Sequence, residues 1–241
     1  MGLSLSDFEI LAQPDDVTCG PTCLQAVYSF YGDSVSLADV IRDVPQLASG
    51  GTLAVLLGIH ALRRAYPATL YSWDLKTFDP TWFEEGVDLA AKLREQAQAD
   101  RNPRLQHATK AYLTFLSLGG RVKSTLFEPE LLRRYLREGR PILAGLSATY
   151  LYGCARERNE QGRSVYDDVR GSPVGHFVVV WRYDPGTRLA WVADPLHDNP
   201  LTGEHVYAVP IQRLLAAILL GGSTYDANFL VLDSPLAGAD R

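Results

Sequence analysis

Cys19 stands where a helix is about to begin, and that placement narrows what this chain can become. In Gln13-Pro-Asp-Asp-Val-Thr-Cys19-Gly-Pro-Thr-Cys23-Leu24, Gly20 and Pro21 break a loop, and Cys23, Leu24, Val27, Phe30 and Tyr31 then recur at helical spacing. The pattern predicts a helix over 22–31 with Cys19 at its positive end. Unpaired N–H groups and the helix dipole favour a thiolate there. A cysteine that is only a small apolar filler gains nothing from that position. A thiol nucleophile also needs a base, which usually comes from far away in the sequence, so the fold must bring a distant segment to this helix start.

Of the five histidines, His176 is the candidate base. His60 lies inside the apolar helical run 52–66, where a satisfied or surface histidine is expected, and His107 lies in a polar stretch. His176 follows Gly175 and opens Phe177-Val-Val-Val-Trp-Arg-Tyr183, a β-branched and aromatic run that reads as a buried strand. Asp184-Pro-Gly-Thr187 then reads as a tight turn, Leu189 to Ala193 as the returning strand, and Asp194-Pro195 as its end. In such a hairpin the first residue of one strand and the last of the other are neighbours. His176 and Asp194 are therefore expected side by side, with the carboxylate fixing the imidazole tautomer and steadying the imidazolium.

These residues resemble the papain-like cysteine peptidases, specifically the bacteriocin-processing, double-glycine leader peptidases. Members of that group carry a Gln, a Cys-Gly-x-x-Cys-Leu helix start, a Gly-x-Pro strand, and a Gly-His strand followed by Asp-Pro. Here these are Gln13, Cys19 to Leu24, Gly139-Arg-Pro141, Gly175-His176 and Asp194-Pro195. The likeness covers the first thirty or so residues and about 128–196, and it thins between them. It implies Cys19 as nucleophile, His176 as general base and acid, Asp194 as orienter, and the Gln13 amide with the Cys19 backbone N–H as oxyanion hole. It also implies an α+β, papain-like fold: a helical lobe carrying the nucleophile packs on a mainly antiparallel sheet lobe, with the active site in the cleft between them.

The organisation along the chain fits one domain over residues 1–241, helical to about 138 and sheet-forming over about 139–235. No linker, repeat or low-complexity segment divides it. Ser36-Leu-Ala-Asp39 reads as a capping box for a short helix to Asp43, and Gly50-Gly51-Thr52 as a loop and cap. Helices are expected over 52–66, 82–99, 103–118, 128–138 and 211–220, and strands over 141–146, 177–183, 189–193, 205–209 and 229–232. The helices within 82–118 exceed what a compact peptidase of this type needs. Residues 147–173 read as a long polar loop leading into His176, and a substrate-shaping lid is expected there, with Tyr150, Tyr152, Arg156 and Arg158, together with His197, as substrate-binding candidates.

A formal charge of -5 with scattered basic residues gives no footprint for nucleic acid. No apolar run approaches the ~18 residues of a membrane span, the N-terminus lacks the features of a secretory signal, and Met1-Gly2 with Ser6 is too short a pattern to assign a lipid anchor. Three cysteines without a signal point to reduced thiols in the cytoplasm, with Cys23 as a packed core residue. Asp194, His197, Asp198 and His205 crowd together, but without metal-ligand spacing, so no metal or other cofactor is expected. The expected partner is a peptide or amide substrate; neither nucleic acid nor membrane is expected, and oligomeric state is left open. The expected activity is a cysteine-dependent peptidase or amidase working through an acyl-enzyme. An acyl or peptidyl transferase on the same groups and a non-catalytic peptide-binding relative are the other readings.

Overall fold

The computed structural model describes residues 8–47, 50–161 and 163–235; the N-terminal stretch read for signal and anchor patterns lies outside them. The first helix, α1 (Cys19–Phe30), begins at the cysteine itself. Pro21 is tolerated in its first turn because the N–H groups there have no partner within the helix. Next come α2 (Leu37–Asp43), capped by the Ser36 hydroxyl as the capping pattern predicts, and α3 (Ala54–Arg63). The expected helix over 82–99 is shorter: a 3-10 turn spans Pro80–Phe83, and α4 (Leu89–Ala99) starts only where the Asp88 carboxylate accepts the N–H groups of Ala90 and Ala91. The helix α5 (Pro103–Ser117) starts at the Asn102 cap with Pro103 in its first turn.

Two strands fall in the half read as helical. They are β1 (Ala68–Ser72) and β2 (Arg121–Lys123). After α6 (Pro129–Arg137) and β3 (Ile142–Ser147) comes the segment read as a polar loop. It is structured, because it has its own local partners. A short helix α7 (Ala148–Tyr152) leads to a separate hairpin of β4 (Glu157–Glu160) and β5 (Arg163–Tyr166), tied at its base by Asp167, which accepts from Arg158 and Arg170. The chain then forms β6 (Gly175–Asp184), β7 (Leu189–Ala193), β8 (Val206–Pro210), α8 (Ile211–Leu220) and β9 (Asn228–Leu232).

Seven strands make one sheet in the order β2-β1-β9-β3-β6-β7-β8, with every pair antiparallel except β1 with β2. Strand alternation splits its side chains between two cores. Leu70, Leu143, Val179 and Leu230 face a core shared with α1, α3 and α5, whereas Ile142, Val178, Val180 and Val231 face one shared with α6 and α8. The α+β class with a large, mostly antiparallel sheet is as the sequence leads one to expect. The division at about residue 138 is not reproduced in the sheet, because β1 and β2 from the helical half pair directly into it. No helix among the described residues is long and apolar enough to cross a membrane.

Candidate active site

The helix α1 packs across β6, and the packing is close because Gly20 lacks a side chain: a Cβ there would sit 2.7 Å from Thr52 Cγ2 and 3.3 Å from Phe177 Cδ2. This approach brings the first residue of α1 to the first residues of β6. Cys19 is 8% exposed and His176 6%, and the Cys19 sulfur is close enough to the imidazole to act on its charge. His176 Nε2 lies 2.8 Å from Asp194 Oδ1, so the nitrogen left for the thiol is Nδ1. The hairpin ladder ends at Val179 opposite Ala193, and Asp194, one residue further, reaches back to His176 with its side chain.

Asp194 is fully buried and accepts four hydrogen bonds. Oδ1 takes His176 Nε2 and the Leu196 backbone N–H at 3.0 Å; Oδ2 takes the hydroxyls of Tyr152 at 2.9 Å and Tyr207 at 2.6 Å. Burial alone would raise its carboxyl, but the facing His176 and the hydrogen bonds from His176, Tyr207 and Leu196 outweigh it and hold the group below the usual carboxylate range. Burial likewise opposes charge on His176. The Asp194 charge and hydrogen bond, with the Cys19 sulfur, prevail and push the imidazole up to about 10.

Gln13 is held beside this group by its backbone, whose N–H donates to the Pro195 carbonyl at 2.9 Å. Its side-chain Nε2 donates to the Asp15 carbonyl at 2.7 Å, which uses one of two amide hydrogens. The structure thus brings Cys19, His176 and Asp194 together, with Gln13 tethered to the residue after Asp194.

The substrate-binding candidates are dispersed. Tyr152 is buried at 7% exposure with its hydroxyl on Asp194, while Tyr150 is exposed. Arg156 donates to the carbonyls of Asp168 and Val169, and Arg158 pairs with Asp167 and Glu160 inside the hairpin. His197 pairs with Asp198 at the surface and lies against His205, whose Nδ1 is 2.7 Å from the Asp194 carbonyl oxygen. Cys23 is a buried core thiol donating to the Phe177 carbonyl, and His60 is a core histidine on the Tyr28 hydroxyl.

Tyr207 was not among the residues singled out from sequence. Its signal was available: on a strand read over 205–209, alternation turns Tyr207 and Val209 inward together, and both are buried.

A solved structure described as a C39-like peptidase from Bacillus anthracis shares this fold, with a TM-score of 0.50 and 13% identity over 95% of this chain and 96% of that one. No curated protein matches the sequence. Residues 5–216 match the Peptidase_C39 like family, and the chain therefore belongs to that family, whose chemistry is of the cysteine peptidase type.

Proposed function

We propose that the protein cleaves peptide or amide bonds with Cys19 as nucleophile, His176 as general base and acid, and Asp194 as orienter. The observation that carries this reading is the buried His176–Asp194 pair set beside Cys19, built from a helix N-terminus and two strand ends. The Cys19 sulfur attacks the scissile carbonyl as a thiolate, with its proton held by His176. The resulting oxyanion is held by the Cys19 backbone N–H and the remaining Gln13 amide hydrogen, each such donor being worth roughly 3 kcal/mol of barrier. His176 gives its proton to the leaving amine as the C–N bond breaks. It then takes a proton from water, whose oxygen attacks the thioester and releases the acid and free Cys19.

The nucleophile and base are each under one-tenth exposed, which favours a scissile bond flanked by small side chains. A double-glycine leader, the substrate class of the resembled peptidases, has small residues at that bond. Cys19, Cys23 and Cys154 are free thiols, which suits the cytoplasm. Wild-type protein is expected to take up a thiol-directed acyl probe at Cys19 and to release the amine half of a Gly-Gly peptide into water. A Cys19→Ala variant that labels undiminished refutes the nucleophile, and product mass spectra showing capture by an added amine instead of water assign an acyl transferase.

A further inference from the structure

The catalytic reading uses one oxygen of Asp194, and the other is filled as deliberately. Oδ2 accepts two phenolic hydroxyls, from Tyr152 at the end of α7 and Tyr207 on β8, both under one-tenth exposed. They reach the carboxylate from elements 42 and 13 residues away, so the arrangement is tertiary and not a local turn. An ionised carboxylate only accepts and each hydroxyl has one hydrogen, so both hydrogens point at Oδ2. Rotating the carboxyl would break all four contacts at once. We propose that Tyr152 and Tyr207 are positioning residues that clamp Oδ2 of Asp194 and thereby hold Oδ1 in line with His176 Nε2.

Local geometry explains how Tyr152 arrives. Ser147 caps α7 by accepting the Tyr150 N–H, Gly153 ends it in the left-handed region, and Ala148 and Thr149 are bonded to Val174, two residues before His176. The start of the 148–173 crossover is thus fastened to the same strand end as the base. The Tyr152 ring lies 6.1 Å from the His176 ring, which also restricts the imidazole sterically. On Tyr207, β8 pairs with β7 in a register that puts Tyr207 opposite Val192, just before Asp194. Burial raises both phenols far above their usual value, so they remain protonated donors at any working pH. Protonating Asp194 would turn one acceptor site into a donor and displace a hydroxyl, so the clamp also disfavours the neutral acid.

This inference rests on the catalytic reading for its consequence but not for its test, which needs no substrate. The full-length chain labelled with 15N-histidine is followed by proton NMR, with the low-field His176 Nε2–H assigned by its loss in His176→Gln. Its solvent exchange is expected to quicken at least about tenfold in Tyr152→Phe/Tyr207→Phe, as loss of hydrogen bonds to a charged group implies. Iodoacetamide alkylation of Cys19 at pH 6 should slow about as much, because a loosened imidazole no longer assists the sulfur beside it. Tyr135→Phe, which removes a buried hydroxyl bonded to Tyr71 elsewhere in the sheet, should change neither. Tyr207→Phe alone, with one hydroxyl left on Oδ2, should fall between and serves if the double variant does not fold. Unchanged Nε2–H exchange in the double variant, or equal quickening in Tyr135→Phe, overturns the clamp. A wild-type Cys19 alkylated no faster than Cys154 overturns the nucleophile instead and leaves the exchange result to decide the clamp.

Discussion

Two buried aspartates near His176 have opposite environments, and the contrast yields separate predictions. Asp194 has four donors, and an asparagine there offers one oxygen to them, leaving at least two donors unpaired while removing the charge that faces the imidazole. Asp194→Asn is expected to lower acyl-probe labelling of Cys19 on the order of a thousandfold. It should also cost about 1–3 kcal/mol in urea unfolding. Labelling within a fewfold of wild type would refute the orienting role. Asp226 is pushed the other way, up to about 7: burial dominates, and the nearby Thr224, Arg104 and His176 only partly oppose it. The folded state therefore keeps a proton on Asp226 that the unfolded chain releases near 3.8. Stability from this group falls as pH rises between those values and stays low above them. His176 has its own loss of stability above 6.5, as pH rises toward about 10, which wild type and an Asp226 variant share. Asp226→Asn should thus leave stability near wild type at pH 4 and raise it at pH 8, read as urea midpoints. Parallel midpoint curves for the two proteins would show that Asp226 titrates at an ordinary value.

The site is positioned by the meeting of α1 with β6, and Gly20 sits where α1 meets both that strand and the start of α3. Gly20→Ala places a methyl 2.7 Å from Thr52 Cγ2 and against Leu57 and Phe177, so α1 must shift from its present seat. An overpacking cost of about 1–3 kcal/mol in denaturant is expected, together with slower alkylation of Cys19 as it draws away from His176. Wild-type stability with an unchanged alkylation rate would mean the helix has room that the packing does not show. This contact is also where the sequence was most informative. A glycine, a proline and an apolar stripe announced the helix, and Asp184-Pro-Gly-Thr187 announced the hairpin whose ends hold His176 and Asp194. The rest of the sheet and the contacts of Asp194 have no such local signature. All five residues of β1 are buried, so it shows no alternation, and β2 is three residues long with its ends exposed. The two tyrosines on Asp194 lie on different elements, and a contact between side chains far apart in sequence leaves no spacing pattern to read.

At the scale of the whole molecule, the residues brought together come from both ends of the chain, and so does the sheet beneath them. The strand β1 pairs with β9, so residues 68–72 are bonded along their whole length to residues 228–232. Leu70 and Leu230 share a core with α1 and α3, while Tyr71 and Phe229 share one with α6 and α8. Cutting the chain between residues 138 and 139 would strip β1 of its antiparallel neighbour and open both cores at once. It would also separate Cys19 from His176. The fragments 1–138 and 139–241 are therefore each expected to lack near-ultraviolet circular dichroism when expressed alone. The intact chain is expected to unfold in one transition that coincides by tryptophan fluorescence, where Trp181 reports the α1 face of the sheet, and by far-ultraviolet circular dichroism. Two separated transitions, or a 139–241 fragment with native near-ultraviolet bands, would mean that the sheet half folds without β1. Cys19 would then meet His176 only by the docking of two independent units, and mixing the fragments should restore its alkylation rate. If instead the sheet is the cooperative unit, as the β1–β9 pairing requires, the reactive thiol exists only when the entire seven-stranded sheet has formed.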